Sequence, residues 1–564
     1  MQRREFLQRS ALLGVTALDA SWSIFSPRDA QAADDEPFDV LISGGTIIDG
    51  TGAAPVRGDV GIRQGRIDKV GTLGSAPSKR RVNATGKIIA PGFIDMHSHS
   101  DRTLMTDGQA QSSIRQGCTT LVTGNCGSSP APLVDPTTVN KQTFRTYGEY
   151  LQALKQSQTS VNVAGLVGHN TVRMAVMGMQ NRPPTEVELR KMQDFVAEAM
   201  AGGAVGLSTG LVTPPGTWST TSEIVELARV VGKAGGIYAT HMRGEAGTLV
   251  ESVREALQVG REGKLRVQIS HHKAAGKENW GKTRQTLPMI EAANREGHTV
   301  RVDVYPYRAG SAGLSQLVPP WAHEGGNGEM LGRLKDPESR KRIAHEMTVG
   351  PDAESGGLAS WPNFFVIDWD DIQITSVVSQ ANRQWVGKKV GDVARARKCS
   401  GTDACIDLLL EERGSVGMIN FIMDEDEVRR MLAHPLSMIG SDGVSVSAAT
   451  PQGSPHPRFY GCFPRVLGHY CRDLKLFPIE TAIYKTTGMP AEQLGLPDRG
   501  VIRPGAAADI VVFNFDTVID KATFEQPHQY PVGIEVVLVN GVIVVAEGEH
   551  TGALPGQIVS PRRV

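Results

Sequence analysis

The chain has 564 residues, 40% of them apolar and 21% charged, with a formal net charge of -1. That profile suits a globular enzyme large enough for more than one domain, and a charge so close to zero gives no electrostatic case for a nucleic-acid partner or an anionic membrane. Six cysteines in a chain of this length are not a disulfide framework.

Residues 1–32 read as a leader, outside the fold. Arg3 and Arg4 stand together in RREFLQ, the apolar stretch ALLGVTALDASWSIF follows, and Asp29-Ala30-Gln31-Ala32 has a small-x-small cleavage pattern. The stretch carries Asp19 and falls short of the about 20 apolar residues that a membrane span needs. This resembles a twin-arginine export signal, so the mature protein is expected to begin near Ala33 in the periplasm, with no lasting membrane span. Such a route carries folded proteins, which suits an enzyme loaded with metal before crossing. An uncleaved anchor or a tail is the alternative.

Residues 38–90 are short alternating runs separated by Gly-rich turns, and a similar set returns over 491–555 in GVIRPGAAADIVVFN and VVLVNGVIVVAEGEHTG. Together they predict one small β-sandwich domain built from both termini. Residues 91–490 alternate apolar strand with helix. The opening strand KIIAPGFIDM is followed by CTTLVTGNCG, VNVAGLVGHN, AVGLSTGL, GIYATHMRGE, LRVQISHHK, TVRVDVYPY and MIGSDGV. Strands apolar on both faces indicate a parallel sheet, and eight of them are the number that closes a (β/α)8 TIM barrel of the α/β class. A doubly wound open sheet is the alternative, but no G-x-G-x-x-G follows a strand. Residues 308–437, between the last two strands, are long enough for a subdomain that acts as a lid over the barrel mouth.

Polar residues collect where the apolar runs end: His97, His99, Cys126, His169, His241, His271, Tyr305 and Asp442. On a barrel those ends form one rim, where active sites lie. His97 and His99 are two apart and share a side of an extended strand, with Asp101 at the same period. A catalytic zinc takes about three protein ligands and leaves one position open, which Cys126, His241 and His271 can satisfy from three strands. His97 and His99 would hold a second, weaker metal, with Cys126 able to bridge. Asp442, at the end of the eighth strand, is the natural proton shuttle between an attacking water and a leaving nitrogen. His169 and His272 are expected to be structural.

Taken together, PGFIDMHSHSD, TLVTGNCGSSPAP, ATHMRGE, ISHHK, DVYPY and GSDG resemble the D-aminoacylase branch of the amidohydrolase superfamily, the N-acyl-D-amino-acid deacylases, from about residue 38 to the C-terminal β segment. The His-x-His segment marks only the superfamily, whereas GNCGSSPAP is specific to the branch. The resemblance implies a tight zinc on Cys126, His241 and His271, a second and often partly filled site at His97 and His99, and Asp442 as the acid/base. It also implies that Lys273, Tyr305, Ser311 and Arg458 bind the substrate carboxylate, for which a guanidinium fork is suited. The segment from Asp442 to His-Pro-Arg is longer here than in the family pattern. The implied substrate is an N-acyl-D-amino acid or a short peptide ending in a D-residue. The sequence leaves side-chain preference, metal number and oligomeric state open. Cyclic amidases and isoaspartyl dipeptidases of the superfamily are rival readings, but they bridge two metals with a carboxylated lysine at the fourth strand end, and GLSTGLV has no lysine. A non-catalytic barrel would be expected to have lost ligands, and none is missing.

Overall fold

The computed structural model describes residues 36–133, 144–353 and 356–561. The expected leader, 1–32, lies outside them. Eight parallel strands follow one another in chain order: β1 (Phe93–Asp95), β2 (Cys118–Thr123), β3 (Asn162–Gly168), β4 (Gly206–Gly210), β5 (Ile237–His241), β6 (Arg266–Ile269), β7 (Val300–Val304) and β8 (Ser437–Ile439). Backbone hydrogen bonds draw β8 to β1: Met96 N donates to Ile439 O at 3.3 Å, Asp442 N to His97 O at 2.7 Å and His99 N to Gly443 O at 2.8 Å. The Asp95 carboxylate fastens this seam by accepting from Ser441 N at 2.8 Å and Ser441 Oγ at 2.5 Å. The sheet is therefore a TIM barrel and not an open doubly wound sheet.

Alternation along the strands sorts two cores. Ile94, Val122, Ala164, Leu166, Ile237 and Ala239 fill the barrel, while their neighbours Leu121, Val163, Val167 and Tyr238 face the surrounding helices. The helices answer with apolar stripes. Thr221–Lys233 buries Ile224, Leu227, Ala228 and Val231, which recur at i, i+3, i+4 and i+7, and Thr220 caps its first turn.

The opening run KIIAPGFIDM is not one strand. Ile88–Pro91 pairs antiparallel with Ile510–Phe513 in the terminal domain, and β1 begins after Gly92. A Cβ on Gly92 would lie 2.2 Å from the Thr119 side chain, so the chain passes between the two sheets only without a side chain. Both termini meet in one mixed sheet of nine strands that folds over a core of Ile42, Val60, Ile62, Ile510, Val512 and Leu538. This is the β-rich domain beside the barrel. Its junction with the barrel floor is a buried polar network. Asn162 Nδ2 donates to Asp509 Oδ2 at 3.0 Å, Asn540 N to Asp509 Oδ1 at 2.7 Å, and Arg499 pairs with the same carboxylate.

Between β7 and β8 the strands Gly310–Gly313, Ile372–Ser376 and Gly417–Asn420 form a separate antiparallel sheet. Helices including Pro337–Val349 and Gly401–Glu411 enclose it around a core of their own, with Ile343, Ile374, Leu408, Leu409 and Met418. All six cysteines are free thiols, and Cys118 lies in the core outside the barrel. Among the described residues no helix is long and apolar enough to cross a membrane.

The floor network yields a stability prediction. Asp509→Ala strands the buried Arg499 guanidinium without its carboxylate and is expected to cost about 3–5 kcal/mol, read as a lowered denaturation midpoint.

Candidate active site

The barrel mouth gathers the side chains singled out in the sequence. Alternation along β5 that turns Ile237 and Ala239 inward carries His241 to the mouth. On β6 the same alternation would send His271 outward with Ile269. The backbone at His271 instead takes φ 34°, and the left-handed turn swings the imidazole into the mouth. Cys126 (φ 52°) and Asp442 (φ 49°) are placed by the same device. Left-handed backbone is costly for side chains other than glycine, and three such residues at one mouth are backbone strain held at a functional site.

The distances define a chain of donors. Cys126 Sγ lies 3.3 Å from His97 Nε2 and 3.5 Å from His271 Nε2. Asp442 Oδ1 lies 3.0 Å from His99 Nε2 and 3.6 Å from His97 Nε2. Glu245 Oε1 lies 2.9 Å from His271 Nδ1, and Glu245 Oε2 is 3.5 Å from His241 Nε2. Three overlapping groups result, His97–Cys126–His271, His97–His99–Asp442 and His241–Glu245–His271, and within each the donor atoms lie within 4.8 Å of one another.

The expected substrate-binding residues are also at this mouth. Lys273 Nζ donates to Glu245 Oε1 at 2.6 Å, and Arg458 Nη1 is 2.9 Å from Asp442 Oδ2. Both cations approach the Tyr305 ring, Arg458 at 4.7 Å and Lys273 at 5.9 Å from its centre. The longer segment after Asp442 does not keep Arg458 away. Ser311 stands on the insertion sheet at the cavity wall, with its hydroxyl donating to Met418 O at 3.1 Å. His169 and His272 are turned away from the donors, His169 against Glu223 at 2.8 Å and His272 against Thr286 Oγ1 at 2.8 Å.

Electrostatics at the mouth favour ionised groups. Burial raises the Cys126 thiol, but the charge of His97 and the neighbouring imidazoles of His241 and His271 outweigh it and hold the thiol well below its ordinary value. Burial likewise opposes ionisation of Asp442, and Arg458, His97 and His99 hold it well below the carboxylate range. Burial disfavours charge on His99 and His241. The carboxylates and thiolate nevertheless raise both imidazoles to about 9, for His99 through Asp442 and Cys126 and for His241 through Glu245 and Cys126. Burial lifts the Tyr305 phenol to about 12, so it stays a hydroxyl donor at neutral pH.

This donor set fits a bound metal ion. A thiolate and imidazoles are the ligands of zinc and related ions, the anionic surroundings that retain protons on the histidines would equally retain a cation, and His241 Nε2 is buried without a hydrogen bond. Three carboxylates went unread in the sequence. Glu245 stands four residues after His241 inside ATHMRGE. Asp303, inside DVYPY, accepts from His271 N at 2.8 Å and lies 3.5 Å from His97 Nδ1. Asp95 forms the seam. A carboxylate close after a strand-end histidine was the available signal for Glu245.

Beyond the donors the cavity runs between the barrel and the insertion. Its lining there is mainly apolar, with Val212, Leu317, Trp361, Phe364, Phe365 and Met418, interrupted by the amides of Gln316, Asn363 and Asn420.

Comparison with known proteins agrees with this geometry. Residues 80–350 and 370–545 match the amidohydrolase family. A D-aminoacylase of Alcaligenes xylosoxydans xylosoxydans is 40% identical over 537 residues, 94% of this chain and 99% of that protein. A solved D-aminoacylase structure, from work on that enzyme's binuclear metal centre, superposes with a TM-score of 0.78 at 38% identity over 93% of this chain and 100% of that one. The N-acyl-D-glutamate deacylase of Bordetella bronchiseptica, in complex with zinc and a phosphonate mimic of the tetrahedral intermediate, superposes with a TM-score of 0.78 at 37% identity over 94% of this chain and 100% of that one.

The thiol geometry is testable. In metal-stripped protein at pH 7, Cys126 is expected to be alkylated by iodoacetamide well before Cys118, Cys462 and Cys471, whose thiols burial pushes up, and zinc should protect it. Peptide mapping of the labelled protein reads the order.

Proposed function

The chain belongs to the amidohydrolase family, and on that premise we propose that it is a zinc-dependent hydrolase cleaving the amide bond of N-acyl-D-amino acids to a carboxylic acid and a free D-amino acid. The observation that carries the reading is the convergence of Cys126, His97, His99, His241 and His271 on one mouth opposite Asp442. D-stereochemistry comes from the names of the relatives. A linear amide is favoured over a cyclic one because the end of β4 carries no lysine.

In this reading Cys126, His241 and His271 hold one metal tightly, and His97 and His99, sharing Cys126, form a second and weaker site. A metal held there would supply Lewis-acid polarisation of the scissile carbonyl and acidify water. The protein's own groups do the rest. Lys273 and Arg458 both approach the Tyr305 ring, where a substrate carboxylate can accept from both cations and from the phenol hydroxyl, with Ser311 at the insertion wall. Asp442, ionised and facing His99 through Oδ1, takes the proton of the attacking water at that oxygen and returns it to the leaving nitrogen. The insertion wall of Trp361, Phe364 and Phe365 keeps bulk water from the reacting bond.

The cavity also favours one class of side chain. Lys273 and Arg458 are each already opposite a carboxylate, and the far wall offers no further cation. A second carboxylate on the substrate would be buried with only neutral groups such as Gln316, Asn363 and Asn420 to face it, and without a counter-charge, at a cost of several kcal/mol. Neutral, apolar side chains are therefore the preferred substrates. Export by the twin-arginine route belongs to the same reading and is supported by Arg3 and Arg4 in RREFLQ. Fractionation of cells producing the full chain tests it.

Two measurements test the activity. Asp442→Asn should retain metal and fold while turnover falls about 100- to 10,000-fold; near-normal turnover would remove Asp442 from proton transfer. Across a stereospecific panel run with and without chelator, N-acetyl-D-methionine and N-acetyl-D-leucine should exceed N-acetyl-D-glutamate by about 100-fold or more in kcat/KM, the L-isomers should be poor substrates, and chelation should abolish hydrolysis.

A further inference from the structure

Glu245 has more partners at the mouth than a loop carboxylate requires. Oε1 accepts from Lys273 Nζ and lies 2.9 Å from His271 Nδ1, and Oε2 faces His241. Its backbone is pinned as well, with N donating to Asn363 Oδ1 of the insertion at 2.8 Å and O accepting from Ala275 N at 2.7 Å. The residue is buried.

The contest around His271 gives this arrangement its meaning. Its Nε2 faces Cys126, and its Nδ1 has two neighbours, the Glu245 carboxylate at 2.9 Å and the Lys273 ammonium at 2.8 Å. These neighbours demand opposite tautomers. A carboxylate accepts a proton from Nδ1 and leaves the lone pair on Nε2, toward Cys126, where a metal would be bound. An ammonium donates to Nδ1 and forces the proton onto Nε2, which then cannot be a ligand. Glu245 also stands in the donor group with His241 and His271, through Oε2 on the His241 side, while its Oε1 is taken by the Lys273 ammonium.

Building on the zinc-hydrolase reading, we propose that Glu245 is a positioning residue that fixes the ligating tautomer of His271 by drawing Lys273 onto its own carboxylate, so that one side chain sets both the metal grip and the place of the substrate-binding ammonium. Carboxylates behind ligand histidines typically contribute about 10- to 100-fold in metal affinity. Here the group also restrains a competing donor.

The test is zinc affinity, measured by competition with a chromogenic chelator on metal-free protein, alongside KM and kcat. Glu245→Gln is expected to weaken zinc binding about 10- to 100-fold and to raise KM. Adding Lys273→Met removes the competing donor, so the double variant should regain most of the zinc affinity while KM stays high. A role confined to packing would not produce that recovery. Lys273→Met alone should bind zinc at least as tightly as the parent protein, which keeps the proposal testable if Glu245→Gln does not fold. Unchanged zinc affinity in Glu245→Gln, no recovery in the double variant, or a tenfold loss in Lys273→Met would each overturn it. If the parent protein neither holds zinc nor hydrolyses N-acyl-D-amino acids, the broader functional reading fails instead.

Discussion

The structure depends on mutual neutralisation of charge at the barrel mouth. One thiol held low, three carboxylates, four imidazoles, an ammonium and a guanidinium share a largely water-excluded space. No one of them could be buried there alone, because an isolated charge in such surroundings costs several kcal/mol. Each is tolerable because a partner of opposite sign stands within about a hydrogen bond's length, as Lys273 does for Glu245 and Arg458 for Asp442. The apolar barrel interior below and the insertion above keep the local dielectric low, which strengthens every pairing.

Most of the scaffold was legible in the sequence for one physical reason. Barrel strands are covered on both faces, so each appears as a nearly continuous apolar run, and the polar residues just past the run mark the rim. That rule leads to Cys126, His241, His271 and Asp442. It failed over residues 88–95, where two strands of different sheets abut at Gly92 and read as one run. It also gave no sign of the insertion's own sheet, because Gly310–Gly313 is made of small residues without apolar alternation.

The carboxylates were hidden for a different reason. Glu245 and Asp303 carry no periodic signature. Their roles exist only once β1, β5, β6 and β7 stand side by side and bring His97, His241, His271 and Lys273 within reach. The left-handed turns at Cys126, His271 and Asp442 were equally silent, since even Asp and His, which take that conformation more readily than most side chains, adopt it at only a small share of positions. What could not be read was therefore the strained geometry and the buried partners that aim these side chains.

The seam between β8 and β1 has a consequence for biosynthesis. His97 O and Asp442 N share a hydrogen bond, yet one lies just past the first barrel strand and the other just past the last. A ribosome has to release nearly the whole polypeptide before the two can meet, so a nascent or prematurely terminated product retains the early histidines without the carboxylate that faces them. Hydrolytic competence would then arise in a single late event.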